Sequence, residues 1–216
     1  MSEKLSAVEH IKTKSDGLRG TLKESIDLDN QTGNVRPDDE TLVKFHGMYV
    51  QDDRDRRAER AAKKLDKLYS FMIRLRIPGG VINANQWIAT HEISEQLGTG
   101  TLKITTRQTV QLHGLLKHQL RPTIQAFNTA KLDSIAACGD VNRNVIVSSH
   151  PQISAIHQQI YEYADKISTL LLPKTQSYYE VFIDGEKIYE RSSEADPLYE
   201  DRYLPRKFKI AIAIPP

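Results

Sequence analysis

The stretch between residues 65 and 135 most constrains the fold, because its hydrophobic pattern changes between the period of a strand and that of a helix. Residues 70–78 (SFMIRLRIP) alternate as a strand does, and the Pro-Gly-Gly that begins at Pro78 ends this strand. There follow a helix capped by Asn85, two short strands at residues 101–105 and 108–113, and a helix at about residues 122–131. This order predicts an α+β fold with a ferredoxin-like half-domain at residues 65–135.

A second unit is predicted at residues 136–216. It contains a strand at residues 144–148, an amphipathic helix from Ile153 to Leu171 and a hairpin that turns at Asp184-Gly185. Its last strand, at residues 207–214 (KFKIAIAI), is almost continuously apolar, which is typical of a central strand with a neighbour on each side. The unit offers few such neighbours, so we expect it to be the incomplete beginning of a mixed α+β domain.

The first 64 residues show the weakest pattern. Up to about residue 40 we expect an extended N-terminal arm with local helix, and residues 41–49 read as a short strand or extended segment. Of the thirteen residues 52–64, ten are charged with mixed signs. Such a run is typical of a solvated helix or loop, and a docking surface for a partner is the alternative.

The composition excludes several classes of function. The 30 basic and 28 acidic residues give a net charge of +2, and no basic stripe with interleaved aromatic residues indicates nucleic-acid binding. No apolar run approaches the roughly 20 residues that span a membrane, and the start has no apolar signal segment. The single cysteine, Cys138, cannot form an internal disulfide or hold a zinc ion or an iron–sulfur cluster by itself. We expect a cytoplasmic location.

Several cations lie on or beside the predicted strands, where burying a charge without a partner costs free energy. They are Arg74, Arg76, Arg107, Arg143, Lys207 and Lys209. Arg74 and Arg76 share one strand face, and Lys207 and Lys209 share another. Two arrangements satisfy such charges: internal salt bridges, or a shared anionic ligand in a cleft. The pattern alone leaves both open.

Two other residues are weaker candidates. His113 is predicted to end a strand, and a histidine in that position is more often a hydrogen-bonded structural residue than a ligand. Cys138 is more often a small buried residue than a nucleophile, and nothing in the sequence places a histidine base beside it.

Five segments of the chain form an ordered set. They are FHGMYVQDDRDRRAER (45–60), RLRIPGG (74–80), TTRQTVQLHG (105–114), GDVNRNV (139–145) and YLPRKFK (203–209). In order and spacing they resemble the N-terminal part of the siroheme-containing sulfite and nitrite reductases, and the resemblance extends over essentially the whole chain. Within that family the NADPH-linked bacterial type is the most similar.

The resemblance implies an activity and a set of site residues. Enzymes of this type reduce sulfite to hydrogen sulfide with six electrons, in sulfate assimilation and cysteine biosynthesis, at a siroheme bridged to a 4Fe-4S cluster. The residues that match the family's anion-binding positions are Arg76, Arg143, Lys207 and Lys209. Those that match the siroheme-binding region are Arg107, Gln111, His113 and Asn142. The implied electron donor is an NADPH-dependent flavoprotein (alpha) subunit in a hetero-oligomer, and a ferredoxin is the alternative donor.

One departure from the family concerns the cluster. Its cysteine ligands have no counterpart here, so we expect the chain to be the N-terminal part of the enzyme and inactive alone. Two alternatives to a sulfite reductase remain: a ferredoxin-type nitrite reductase and a truncated, non-catalytic binding or assembly fragment. Nitrite enzymes of the family tend to carry asparagine at the position of Lys209, so this lysine favours sulfite.

Overall fold

The centre of the fold is a four-stranded antiparallel sheet. The computed structural model describes residues 5–27, 32–148, 150–174, 181–183, 186–189 and 196–215. The strands are β1 (Met48–Asp52), β2 (Tyr69–Arg74), β3 (Leu102–Ile104) and β4 (Val110–Leu115). Their order is β1-β2-β4-β3, so the central pair joins β2 to β4, with Arg74 opposite Gln111.

Two helices complete the half-domain. The first is α5 (Ala84–Leu97) and the second is α6 (Leu120–Thr129). One sheet face contributes Phe71, Ile73 and Leu112 to a core that includes apolar residues of both helices, whereas the other face carries mainly polar side chains. The predicted α+β order is therefore confirmed. The N-cap is Asn83 rather than Asn85, because Asn83 forms a reciprocal capping box with Gln86.

The N-terminal segment is less extended than its sequence suggests. It forms α1 (Ala7–Lys14), α2 (Leu22–Asp27) and α3 (Asp39–Leu42), and it contributes Leu18, Leu22, Leu42 and Val43 to the core. The strand expected at residues 41–49 begins only at Met48, and β1 then runs into the charged segment. Beyond it, α4 (Arg57–Ala62) is solvated along its length apart from a half-buried Arg60.

The second unit packs a helix on a small parallel strand pair. Helix α7 (Ala155–Leu170) contacts the 3₁₀ turn at Pro78–Gly80 and β5 (Ile146–Val147), and β5 pairs with β8 (Ala211–Ile212). The strands β6 (Val181–Ile183) and β7 (Glu186–Tyr189) pair antiparallel, as predicted, while the turn at residues 184–185 lies outside the described residues. Among the described residues, no helix is both long and apolar enough to cross a membrane.

The last strand is not buried as its sequence suggests. Among the described residues it pairs on one side, with residues 142–148, and the side chain of Phe208 is 56% exposed rather than packed in the core. Ile210 does pack against Val145 and Val147. This pairing places Lys207 and Lys209 near the polar sheet face, close to three arginines.

Candidate anion-binding site

A cleft of about 240 Å³ opens between the polar sheet face and the two parallel strands of the second unit. Its lining residues are Tyr49, Arg74, Thr105, Thr106, Arg107, Ala137, Arg143, Asn144, Lys207 and Lys209. Five of these side chains are cationic and none is acidic. Four separate segments of the chain contribute the cations, so only the folded chain brings the charges together.

Neutral groups hold the three arginines in place. Arg74 Nη1 lies 3.3 Å from the carbonyl oxygen of Ala137, and Arg143 donates from Nε to Gly139 at 2.8 Å and from Nη1 to Ala137 at 3.0 Å. Arg107 donates from Nη2 to the carbonyls of Asn144 and Ile210. Within the described part of the chain, none of these three forms a salt bridge with a carboxylate. Carbonyl groups orient a guanidinium without cancelling its charge, so the cleft is strongly positive.

The two lysines stand at the solvent side of the cleft. Lys207 and Lys209 are both exposed, and both line the cleft. The nearby ammonium group of Lys209, followed by Arg206 and Arg143, lowers the pKa of Lys207. Lysines that repel one another in this way gain stability when an anion enters between them.

Arg76 is not part of this cleft. Its guanidinium forms a two-pronged salt bridge with Asp133, with Nε 2.9 Å from Oδ1 and Nη2 2.6 Å from Oδ2, and Nη1 donates to Ser168 at 3.1 Å. Arg76, which is predicted to bind the anion, is thus paired internally, while Arg74, at the end of β2, lines the cleft. Asp133, which forms an isolated β-bridge with Arg76, supplies the carboxylate, and the assignment of Arg76 to the anion stays a prediction.

Of the residues predicted to bind the cofactor, Arg107 alone lines the cleft. Its Nε atom is buried without a hydrogen-bond partner, and burial together with the charge of Arg143 lowers the pKa of its guanidinium. Asn142 is 4% exposed and does not line the cleft, and its backbone N–H donates to Tyr199 Oη at 3.2 Å. Asn144 lines the cleft instead, and its side-chain amide holds the backbone of Ile77 and Arg107.

Gln111 and His113 lie beside the cleft, on the polar sheet face. The amide of Gln111 sits between Arg74 and the imidazole of His113, and the other ring nitrogen of His113 lies 3.1 Å from Gln51 Oε1. Strand β4 continues to Leu115, so His113 does not end it. The hydrogen-bonding groups of the two side chains therefore already have protein partners.

Sequence reasoning missed Tyr49, which lines the cleft beside Arg74. Cys138 does not line the cleft, and its thiol is fully buried, as expected, 3.4 Å from Arg74 Nη1. Burial raises the pKa of this thiol, and the charges of Arg74 and Arg143 oppose the shift. Tyr49 alternates with buried Met48 in FHGMY, and this alternation is the signal that could have placed its side chain on the polar face. Within the described residues, no three His, Cys, Asp or Glu side chains are grouped as a metal site requires.

Comparison with known proteins identifies the family. The model of the nitrite/sulfite reductase ferredoxin-like half domain matches residues 63–130. Over 215 residues, the chain is 59% identical to the sulfite reductase [NADPH] hemoprotein beta-component of Leptospira biflexa serovar Patoc. The chain belongs to the nitrite and sulfite reductase family. It is also 51% identical, over 216 residues, to the protein of the same name from Staphylococcus haemolyticus.

The match covers the whole of this chain but only part of each relative. The chain spans 39% of the length of the Leptospira protein and 38% of the Staphylococcus protein, in their N-terminal portions. The solved structure of the Mycobacterium tuberculosis NirA protein superposes with a TM-score of 0.64 at 20% identity, over 98% of this chain and 35% of that one. This similarity confirms the predicted fold class, a ferredoxin-like half-domain followed by further mixed structure.

Proposed function

We propose that this chain supplies the cationic wall of the active site in a siroheme-dependent sulfite reductase, where sulfite is bound and reduced to hydrogen sulfide. The observation that carries the proposal is the cleft itself, in which Arg74, Arg107, Arg143, Lys207 and Lys209 converge without a carboxylate among the lining residues. Sulfite is a compact oxyanion and siroheme is rich in carboxylates. Both are ligands that such a cluster would bind.

The residues of the cleft fit siroheme in one specific respect. The buried, unpartnered Nε of Arg107 is a hydrogen-bond donor that a carboxylate oxygen would satisfy, and a buried unpaired donor costs about 1–3 kcal/mol. When bound, siroheme would bring the iron that receives electrons and binds the substrate sulfur. An iron–sulfur cluster does not fit these residues, because it is held by several thiolates and Cys138 is the chain's single cysteine, buried under Arg74.

The two kinds of cation suit two tasks in the reaction. Arg74 and Arg143 are held by carbonyl groups, so they would bind and orient the anion without reorganising. Reduction of sulfite to sulfide consumes protons as each sulfur–oxygen bond breaks. The lowered pKa of Lys207 makes its ammonium group a stronger acid than an ordinary lysine, and a positioned acid accelerates such a step by about 10²–10⁴-fold. We therefore assign anion binding to the arginines and proton supply to Lys207 and Lys209.

The electron donor follows from the names of the relatives. Both are called beta-components of an NADPH enzyme, so we propose an NADPH-dependent flavoprotein alpha subunit as the partner of this chain. A cytoplasmic location and a role in sulfate assimilation belong to the same proposal. The solvated helix α4 and its flanking charges remain a candidate docking surface.

Titration of siroheme into the purified chain tests the proposal. We expect a saturable change in the heme absorption bands, and a further change when sulfite is added. Arg107→Met should weaken siroheme binding by about tenfold, the effect of one hydrogen bond to a charged group. The matched control is Arg121→Met, because Arg121 is exposed and paired with Asp27, and it should bind like the parent. No saturable change with the parent, or equal losses in the two variants, would contradict the proposal.

A further inference from the structure

A row of hydrogen-bonding side chains crosses the polar sheet face and ends at the cleft. It begins with Gln51 on β1, continues through His113 and Gln111 on β4, and reaches Arg74 on β2. His113 Nδ1 lies 3.1 Å from Gln51 Oε1, and its Nε2 lies 3.2 Å from one end of the side-chain amide of Gln111. The other end of that amide lies 2.9 Å from Arg74 Nε.

The partners of Gln111 fix the orientation of its amide. A guanidinium only donates hydrogen bonds, so the oxygen of Gln111 must face Arg74 and its NH₂ group must face His113. The imidazole then accepts at Nε2, which requires the neutral form, and it donates from Nδ1 to Gln51. Each member of the row thus determines the direction of the next hydrogen bond.

The surroundings of His113 keep it neutral. Burial is the main cause that lowers its pKa, and the charges of Lys103 on β3 and Arg74 on β2 act in the same direction. The adjacent strand β1 contributes Gln51, which is uncharged. A protonated imidazole would present a donor to the NH₂ group of Gln111, the amide would have to turn, and Arg74 would lose its acceptor.

We propose that Gln111 and His113 are positioning residues, which hold Arg74 in the cleft. Arg74 receives neutral acceptors from two directions, Gln111 on one side and Ala137 on the other. A long side chain loses rotamer freedom when it binds a ligand, and fixing it beforehand reduces that cost. This inference shares one premise with the proposed function, namely that the cleft binds an anion.

A double-mutant cycle for sulfite binding, followed by calorimetry on the 216-residue chain, tests the proposal. Arg74→Met should weaken binding by about tenfold and His113→Ala by about threefold. In the Arg74→Met background, His113→Ala should cause no further loss, since it acts only through Arg74. The control cycle pairs His113→Ala with Lys209→Met, and there the two losses should multiply.

A conservative variant and the control cycle distinguish positioning from a general effect on the fold. His113→Gln should restore most of the affinity, because a glutamine amide can accept from Gln111 and donate to Gln51. The proposal would be overturned if the losses of affinity from His113→Ala and Arg74→Met multiply. It would also be overturned if His113 is coupled equally to Arg74 and to Lys209.

Nuclear magnetic resonance tests the same row of hydrogen bonds without any anion. The Nε–H group of Arg74 should exchange slowly with water in the parent and rapidly in His113→Ala, and His113 should carry its proton on Nδ1. If the parent binds no sulfite, the proposed function fails while this measurement still decides the positioning role. Unchanged exchange at Arg74 in His113→Ala would overturn it.

Discussion

Arg74 ends β2 and Arg76 lies two residues beyond it, yet the fold gives the two arginines different partners. Arg76 meets a carboxylate 57 residues further along the chain, and the pair is partly buried. Arg74 meets the carbonyl of Ala137 and the amide of Gln111, so its charge stays available to the cleft. A strand pattern predicts which residues share a face, but the partner of each depends on distant segments that the pattern does not place.

Substitution of one arginine should therefore affect mainly sulfite binding, and substitution of the other mainly stability. Arg74→Met should weaken sulfite binding by about tenfold with little loss of stability, because its charge has no ionic partner among the described residues. Arg76→Met should leave sulfite binding nearly unchanged and lower the free energy of unfolding by about 1–3 kcal/mol, since it leaves Asp133 without its partner. Calorimetry with sulfite and urea denaturation of both variants check this. The reverse pattern would favour Arg76 as the anion-binding residue.

Lys207 should make anion binding depend on pH. Its pKa is lowered mainly by Lys209, and a bound anion opposes that repulsion and raises the pKa again. Binding should therefore take up protons, and affinity should fall as the pH rises through the lowered pKa of Lys207. Sulfate is the suitable probe, because its own charge stays constant over this range.

The control for this prediction is Lys207→Arg, which keeps the charge and titrates far above the same range. Calorimetry in two buffers of different ionisation enthalpy measures the proton uptake. The parent should take up protons and Lys207→Arg should take up fewer. Equal uptake by the two proteins would assign the pH dependence to another group.

At the scale of the element, the backbone turn that leads into β1 depends on a glycine. Gly47 has a φ of 81°, and a Cβ atom there would lie 2.2 Å from the carbonyl oxygen of Ser134. Its own carbonyl accepts from the backbone of Arg74 at 2.9 Å. The close approach of three segments at this glycine places Tyr49 and Arg74 side by side at the cleft.

Gly47→Ala should lower the free energy of unfolding by about 1–3 kcal/mol, through strain at a positive φ, and more if Ser134 cannot move. The matched control is Gly33→Ala, because a Cβ atom there would meet only ordinary contacts, the nearest being Tyr69 at 3.5 Å. Urea denaturation of the parent and both variants, fitted with one common dependence of the free energy on urea concentration, provides the comparison. Equal effects of the two substitutions would show that the close approach at Gly47 is not needed.

The sequence predicted the elements of the half-domain better than those that flank it. The alternation of residues 70–78 placed Phe71, Ile73, Leu75 and Ile77 in the core, and all four are buried. The prediction of a buried last strand was wrong at Phe208, which is exposed. An apolar composition indicates burial only where neighbouring strands cover both sides. The N-terminal helices are short, so their helical period was too brief to recognise, although α1 carries a capping box at Ser6 and Glu9.

At the scale of the whole molecule, the cleft exists because segments far apart in sequence meet. Backbone pairing of Arg143 with Phe208 brings the GDVNRN and PRKFK segments together, and Arg107 binds carbonyls of both neighbouring strands. The sequence indicated four of the five cleft cations through family motifs. It named the fifth, Arg74, as one of several strand cations, but could not distinguish it from Arg76, because tertiary contacts decide which of the two lines the cleft.

The cysteine content leads to a prediction for the chain as a whole. Purified after anaerobic reconstitution with iron and sulfide, the chain should contain no stoichiometric iron–sulfur cluster, because it has one cysteine and burial raises the pKa of that thiol. Analysis of iron and acid-labile sulfide checks this, with Cys138→Ala as the control. A cluster in the monomer that is lost in Cys138→Ala would contradict the prediction.

The central claim is that the five cations form one anion site, and chemical-shift mapping tests it most directly. Sulfite is titrated into the isotope-labelled 216-residue chain, and the side-chain resonances of arginine and lysine are followed. The account predicts saturable shifts at Arg74, Arg107, Arg143, Lys207 and Lys209 with one common dissociation constant, and no shift at Arg76. Shifts scattered over the surface lysines, or centred on Arg76 and Asp133, would contradict it.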